Sequence, residues 1–295
     1  MRPLCKSPSW TSVAFYEKDA KSQEYTIKVH NLYPEVKERA NIDNRIVQGI
    51  WVGDPLSDRE LLCISSYLSN GHEFHLYTYD KHENLPAGTV IKDANEFLPE
   101  KEIETFRYKA NFCDYFRYAM LYKRGGWYVD MDSVCLRPLN FSSEYVFGTC
   151  GVDIAGINPV DLSCNGAECY IGNAFIKVPV NSPIIAFCRD ILSQTRGEER
   201  RQESYDELGP RLFQKAVTKF NLQRYVQSPS IFDPVPCFKA THILNPELSW
   251  DLRDTYVVHL NGAQWNEKYN NGVLKREGKY PDGCLYEHLK KRYHV

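Results

Sequence analysis

Two aspartates separated by a single methionine, Asp130-Met131-Asp132, close the stretch GGWYVDMD. Residues i and i+2 of an extended strand face the same way, so the two carboxylates are expected to point together while Met131 points opposite. Like charges on one buried edge repel, and they require a cation between them, a shared proton or open water. A divalent cation held by one or two carboxylates, its open positions filled by water and phosphate oxygens, is the usual way to bind a diphosphate. Such an ion neutralises the charge that develops as a diphosphate departs. Hard oxygen ligands favour Mn²⁺ or Mg²⁺ over zinc. A histidine elsewhere can complete the sphere, and His259, at the end of the run TYVVH, is the best placed. A histidine there can equally be structural.

The elements that must position these groups are readable from periodicity. RIVQGIWVG (45–53) is an apolar, β-rich run leading into a Gly-Asp-Pro turn. Ser57 can cap the helix SDRELLCISSYLSN, with Glu60 at capping-box spacing and Asn70-Gly71 as its stop. EFHLYTY (73–79) and TVI (89–91) follow as strands, then the helix RYKANFCDYFRYAMLYKRGG (107–126) and the strand WYVDM (127–131). This β-α-β-β-α-β order predicts an α/β fold, a Rossmann-like, mostly parallel open sheet with helices on both faces. Ligands of such sheets sit outside the carboxyl ends of the strands, where Gly53 and both aspartates would lie. Neither GxGxxG nor GxxxxGK occurs, so dinucleotide and P-loop readings lose support. Further on, EYVFGTC and CYIGNAFIKV read as strands, NSPIIAFCRDILSQ and DELGPRLFQKAVTKF as helices, and TYVVHLNGAQWN as a strand entering a polar loop.

The helix before the aspartates presents Phe112, Cys113, Phe116, Ala119 and Met120 as a core stripe. Asp114 and Arg117 are i, i+3 neighbours beside it. They form either a surface salt bridge of little worth or a carboxylate–guanidinium pair that grips hydroxyls at the ligand edge.

The chain has 295 residues, 43% hydrophobic and 25% charged, which suits one large α/β domain with embellishments or two small ones. A formal net charge of −2 gives no global footprint for nucleic acid. The sequence contains no window of about 18 apolar residues that would span a membrane, and MRPLCKSPSWTSV lacks the apolar region of a secretory signal. Ten cysteines without zinc-type spacing read as unpaired thiols in a reducing, cytoplasmic compartment. From Asn266 to Val295 seven Lys/Arg face four Asp/Glu, the composition of a solvated basic terminus.

The span from Arg45 to Leu136 resembles the sugar-nucleotide-binding half of DXD-containing glycosyltransferases with the GT-A fold. Yeast mannosyltransferases, α-1,4-galactosyltransferases, bacterial capsular transferases and clostridial glucosylating toxins are of this kind. The resemblance rests on IVQGIWVG and on ANFCDYFRYAMLYKRGGWYVDMD, and it continues through GNAFIKVPVNSP, LGPRLFQKAV and VHLNGAQW. It implies a GT-A domain over 45–265, an N-terminal extension over 1–44 and a basic tail over 266–295, the last two being irregular additions.

The resemblance also implies roles. Trp51 would stack on the nucleobase, although its neighbours equally suit plain core. Asp114 and Arg117 would bind ribose and donor-sugar hydroxyls, and Tyr128 would line the nucleotide site. Asp130 and Asp132, with His259, would meet the metal and diphosphate. Asn173 would lie near the reacting carbon or simply tie down a strand end. Trp265 would lie over the phosphates or cover a helix. The implied activity is a Mn²⁺- or Mg²⁺-dependent, retaining transfer of a sugar from a nucleotide-sugar donor, a UDP-sugar by preference. The acceptor would be a glycan or lipid-linked glycan, met in the cytoplasm with peripheral contact to the inner membrane face. A sugar-nucleotide pyrophosphorylase and a non-catalytic, lectin-like protein are the alternatives. The pyrophosphorylase reading lacks its Gly-rich loop near the first strand.

Overall fold

The computed structural model describes residues 12–18 and 25–31 as backbone, and then 43–53, 55–150, 170–195, 207–235, 237–265 and 278–295. Asp54 of the expected turn, Cys164, Cys169 and residues 266–277 lie outside the described residues. The N-terminal stretch holds two strands. β1 (Ser12–Lys18) and β2 (Tyr25–Asn31) pair antiparallel, with Ser12 opposite Asn31.

Six strands build the central sheet: β3 (Ile46–Ile50), β4 (Glu73–Thr78), β5 (Val90–Asp93), β6 (Gly126–Val129), β8 (Val146–Cys150) and β9 (Tyr170–Val178). Their order is β5-β4-β3-β6-β9-β8. The first four are mutually parallel, and β9 and β8 join antiparallel. Alternation along the strands gives each face its own core. Val47, Phe74, Leu76, Trp127 and Val129 pack on Cys63, Ile64 and Tyr67 of α1 (Asp58–Ser69). Ile50, Tyr77, Tyr128 and Ile176 face the other way, towards α2 (Lys109–Arg124), α3 (Pro183–Gln194) and α4 (Pro210–Lys219). Helices therefore cover both faces, as the element order predicts.

The helix ends follow local chemistry. Glu60 accepts from the Ser57 backbone N–H at 2.8 Å and from its hydroxyl at 2.6 Å, fixing the start of α1. At the end of α2, Gly125 turns the chain with φ of 61°. A Cβ there would stand 2.6 Å from the Val180 backbone nitrogen, so no other residue fits without moving β9's exit. Phe112 and Phe116 of the predicted stripe are fully buried, each contributing about 1.5–3 kcal/mol.

A separate two-stranded sheet follows the turn after β6. β7 (Ser133–Cys135) pairs antiparallel with β10 (Val257–His259), with Ser133 opposite His259. Behind it lies a third core, closed by α5 (Leu285–Tyr293). Leu285, Tyr286, Leu289 and Tyr293 pack there with Leu62, Val134, Val258 and Trp265. The reading of the C-terminal stretch as a solvated basic terminus is corrected for these residues. The charge count missed an apolar stripe at helical spacing. Of the basic residues, Lys290 pairs with Asp58 at 2.6 Å and Arg292 donates to the Leu136 carbonyl at 3.1 Å. Among the described residues no helix is long and apolar enough to cross a membrane, and six cysteines are free thiols.

Candidate active site

β6 stops at Val129, so Asp130, Met131 and Asp132 form the turn into β7 rather than a strand end. The i, i+2 argument for a strand does not apply here, yet the carboxylates still converge, because the turn's backbone is clamped. The Asp130 N–H donates to the Ala174 carbonyl at 3.0 Å, and the Leu260 N–H donates to the Asp132 carbonyl at 2.7 Å. Ser133 Oγ donates to the Asp130 carbonyl at 2.6 Å. Met131 points away into the core beneath α1.

The register of β7 and β10 brings His259 to this turn. Ligand atoms of Asp130, Asp132 and His259 lie within 4.8 Å of one another. His259 Nε2 is 3.3 Å from Asp132 Oδ1, and its Nδ1 is 3.8 Å from Asp233 Oδ2. The Gly262 N–H donates to Asp132 Oδ2. A Cβ on Gly262 would stand 2.6 Å from that oxygen, so the loop's approach depends on glycine. Arg59 secures the same loop, donating from Nη1 to the Gly262 carbonyl at 3.2 Å while its Nη2 meets Glu60 at 2.7 Å.

Arg117 organises the other half. Its Nη2 meets Asp130 Oδ1 at 2.7 Å and Asp114 Oδ1 at 3.4 Å, and its Nη1 donates to the Asn173 carbonyl. The guanidinium lies over the Tyr128 ring, 4.4 Å from its centroid. Tyr128 donates its hydroxyl to Asp130 Oδ1 at 3.1 Å. Asn173 Nδ2 donates to Asp114 Oδ1 at 2.7 Å. The Asp114–Arg117 pair is therefore buried, and the surface-bridge alternative fails.

These partners set the charges. The two aspartates are not left to a proton or to water, since Arg117 and His259 already face them. Burial pushes Asp130 up, Arg117 offsets part of that, and Asp132 adds to it. Burial would raise Asp132 too, but His259, Arg59 and the Gly262 N–H outweigh it and hold it well below the usual carboxylate range. Burial opposes charge on His259, yet Asp132 and Asp233 raise it well above its ordinary value. Burial pushes Asp114 up to about 6 despite Arg117. Asp130 thus resists ionisation where Asp132 welcomes it, and a divalent cation would compensate both. Two carboxylates and one imidazole make a donor set that suits such an ion.

Seven of the nine residues singled out by sequence line or floor one cleft of about 530 Å³: Asp114, Arg117, Tyr128, Asp130, Asp132, Asn173 and His259. Trp51, an eighth, lines it as well while packing partly against the core under α1. Trp265 does not line the cleft. It is buried in the third core, donates Nε1 to the Leu260 carbonyl at 2.7 Å and carries Arg59 over its ring, 5.6 Å from the centroid. Sequence reasoning missed Arg59, Gly262 and Asp233. A signal existed for Arg59, since an arginine in the first turn of a helix opposes the macrodipole and needs another reason to be there.

Fold and cleft together define an α/β protein with a cleft at the carboxyl ends of its parallel strands, where Asp130, Asp132 and His259 could hold a metal ion. Residues 57–147 match the family model described as the glycosyltransferase sugar-binding region containing the DXD motif. That match holds α1, α2, the Asp114–Arg117 pair and both aspartates, and it stops short of Asn173 and His259. Among solved structures, one titled PaToxG Glycosyltransferase matches with a TM-score of 0.40 and 16% identity, covering 61% of this chain and 74% of that one. No curated protein sequence matches the chain.

Proposed function

We propose that the protein is a divalent-cation-dependent glycosyltransferase that moves a sugar from a nucleotide-sugar donor, a UDP-sugar, to a hydroxyl acceptor with retention at the anomeric carbon. The observation that carries this reading is the convergence of Asp130, Asp132 and His259 in a cleft whose other wall is the Asp114–Arg117–Asn173 network. Asp130, Asp132 and His259 would hold Mn²⁺ or Mg²⁺, which would supply charge neutralisation as a nucleoside diphosphate leaves. Trp51 stacks on the base. Asp114 and Asn173 bind donor hydroxyls, and Arg117, whose Nε finds no acceptor among the described residues, orients them. Tyr128 holds Arg117 and Asp130 in place from below.

Asp130, held by Arg117 and Tyr128, and Asp132, held by Gly262, are assigned to the cation in this reading, so neither is the covalent nucleophile. The acceptor hydroxyl therefore attacks on the face the diphosphate leaves. Preorganised charge rather than a strong base carries the rate. A glycan or lipid-linked acceptor, used in the cytoplasm with peripheral contact to the inner membrane face for polysaccharide assembly, completes the proposal. The free thiols of the described residues are compatible with that compartment.

Incubation with a panel of UDP-sugars and Mn²⁺ tests the reading. Slow release of UDP without acceptor is expected, because water can replace the acceptor hydroxyl, and Asp130→Ala should stop it. Tight donor binding with no UDP release from any acceptor pool would point to a lectin-like protein. Pyrophosphate-dependent formation of UTP would point to a pyrophosphorylase.

A further inference from the structure

Asp233 is wholly buried, at 0% exposure, immediately after the helical turn Pro229–Phe232. A buried carboxylate is costly unless charged or hydrogen-bonding groups meet it. His259 and Asn261 are among the groups that face it. His259 Nδ1 is 3.8 Å from Oδ2, and Asn261 Nδ2 is 3.5 Å from Oδ1. Asn261 is itself fixed, since it donates from Nδ2 to the Val235 carbonyl at 3.1 Å and to the His259 carbonyl at 3.2 Å. The imidazole plane is set by Phe175, whose ring meets it edge-on at 84° with centroids 5.4 Å apart. The opposite ring nitrogen, Nε2, is the one that faces Asp132.

We propose that Asp233 is a positioning residue of the cation site, which keeps a proton on His259 Nδ1 and so leaves Nε2 with its lone pair towards the ion. The inference rests on the proposed function, but it concerns cation binding alone. A neutral imidazole carries one proton, and only the unprotonated nitrogen can ligate. The Asp233 carboxylate, 3.8 Å from Nδ1, draws the ring's proton to that side and so favours the tautomer in which Nε2 stays open. At 3.8 Å the contact is longer than a hydrogen bond and orients the ring electrostatically. Partners of this kind, one bond removed from a metal, typically account for about 10–100-fold in affinity.

Asp233→Asn is the informative change because it keeps the shape. Asn261 donates towards one oxygen of residue 233, so the new amide turns its own NH₂ towards Nδ1. That favours the tautomer with Nε2 protonated, which cannot bind the ion. Mn²⁺ titration of the full chain by electron paramagnetic resonance, without donor sugar, should show wild type binding and Asp233→Asn weaker by about 10–100-fold. Its melting temperature without the ion should stay close to wild type. His259→Gln supplies the reference for a site without imidazole. Equal Mn²⁺ affinity in wild type and Asp233→Asn overturns the inference while leaving the proposed function standing. No Mn²⁺ binding by wild type overturns both. Should Asp233→Asn not fold, the wild-type protein saturated with Mg²⁺ answers by long-range proton–nitrogen spectra of its histidines. The His259 signal should report the proton on Nδ1, and a proton on Nε2 would refute the inference.

Discussion

Asp114 shows what the cleft asks of a single side chain. Burial pushes it up to about 6, above the ordinary aspartate value of about 3.9. Between those values the folded protein holds a proton that the unfolded chain has released, so stability falls as pH rises through that window. The cost is absent below the lower value and complete above the upper one, where it reaches roughly 3 kcal/mol. Asp114→Asn keeps an oxygen for the Asn173 amide and removes the charge. It should melt above wild type at pH 8, the gap closing towards pH 4, while donor binding falls. Equal melting temperatures at pH 8 would refute this account. Trp51 gives a second test, because it lines the cleft while its flank packs on the core. Trp51→Phe should lower the melting temperature only modestly and weaken UDP binding several-fold, in line with stacking worth about 1–3 kcal/mol. Unchanged UDP affinity would assign the ring to the core alone. Asp114 and Arg117 were legible in the sequence because helical spacing alone makes them neighbours. Asp233 was not, because it acquires its role from partners further along the chain, and Arg59 carried only the hint of an arginine in a helix's first turn.

At the scale of elements, the aspartate turn is held from both sides by strands of three residues, β7 and β10. Strands that short leave no period to read, so the sequence presented the turn as the end of a longer strand. The longer elements were legible because each carries its own apolar period and its own stop, as α2 does with Gly125. The C-terminal helix α5 was hidden by its charges, although Leu285, Leu289 and Tyr293 recur at helical spacing. It backs β10 through Val258 and the loop through Trp265. Leu289 is 1% exposed, and Leu289→Ala should cost about 2–5 kcal/mol. Because that loss falls behind the strand bearing His259, Mn²⁺ affinity should drop as well, although no ligand is altered. Lys291→Ala, at a side chain 66% exposed, should change neither. A Leu289→Ala protein that is destabilised yet binds Mn²⁺ as wild type does would separate α5 from the site.

Among the described residues, three cores pack around the central sheet and the β7–β10 pair, and the cleft is lined by residues of these elements. Cation and nucleotide should therefore stabilise it jointly. A ligand at 100 times its dissociation constant adds about 2.7 kcal/mol. With UDP present, Mn²⁺ should raise the melting temperature beyond either alone, and Asp132→Asn should abolish that synergy. Equal shifts with and without metal would end the cation-linked reading.

The bond between Asp132 and Gly262 joins residues 130 positions apart. A contact of that span forms only after the intervening chain has been gathered, at a loop-closure cost that nearby pairings do not bear. We predict that the site is completed after the rate-limiting barrier of folding. A ligand that engages it acts on the descent and not on the climb. Stopped-flow refolding should accordingly run at the same speed with and without Mn²⁺, whereas unfolding in denaturant should slow by the full factor of the added stability. The ion would lengthen the life of each folded molecule without hastening the birth of any.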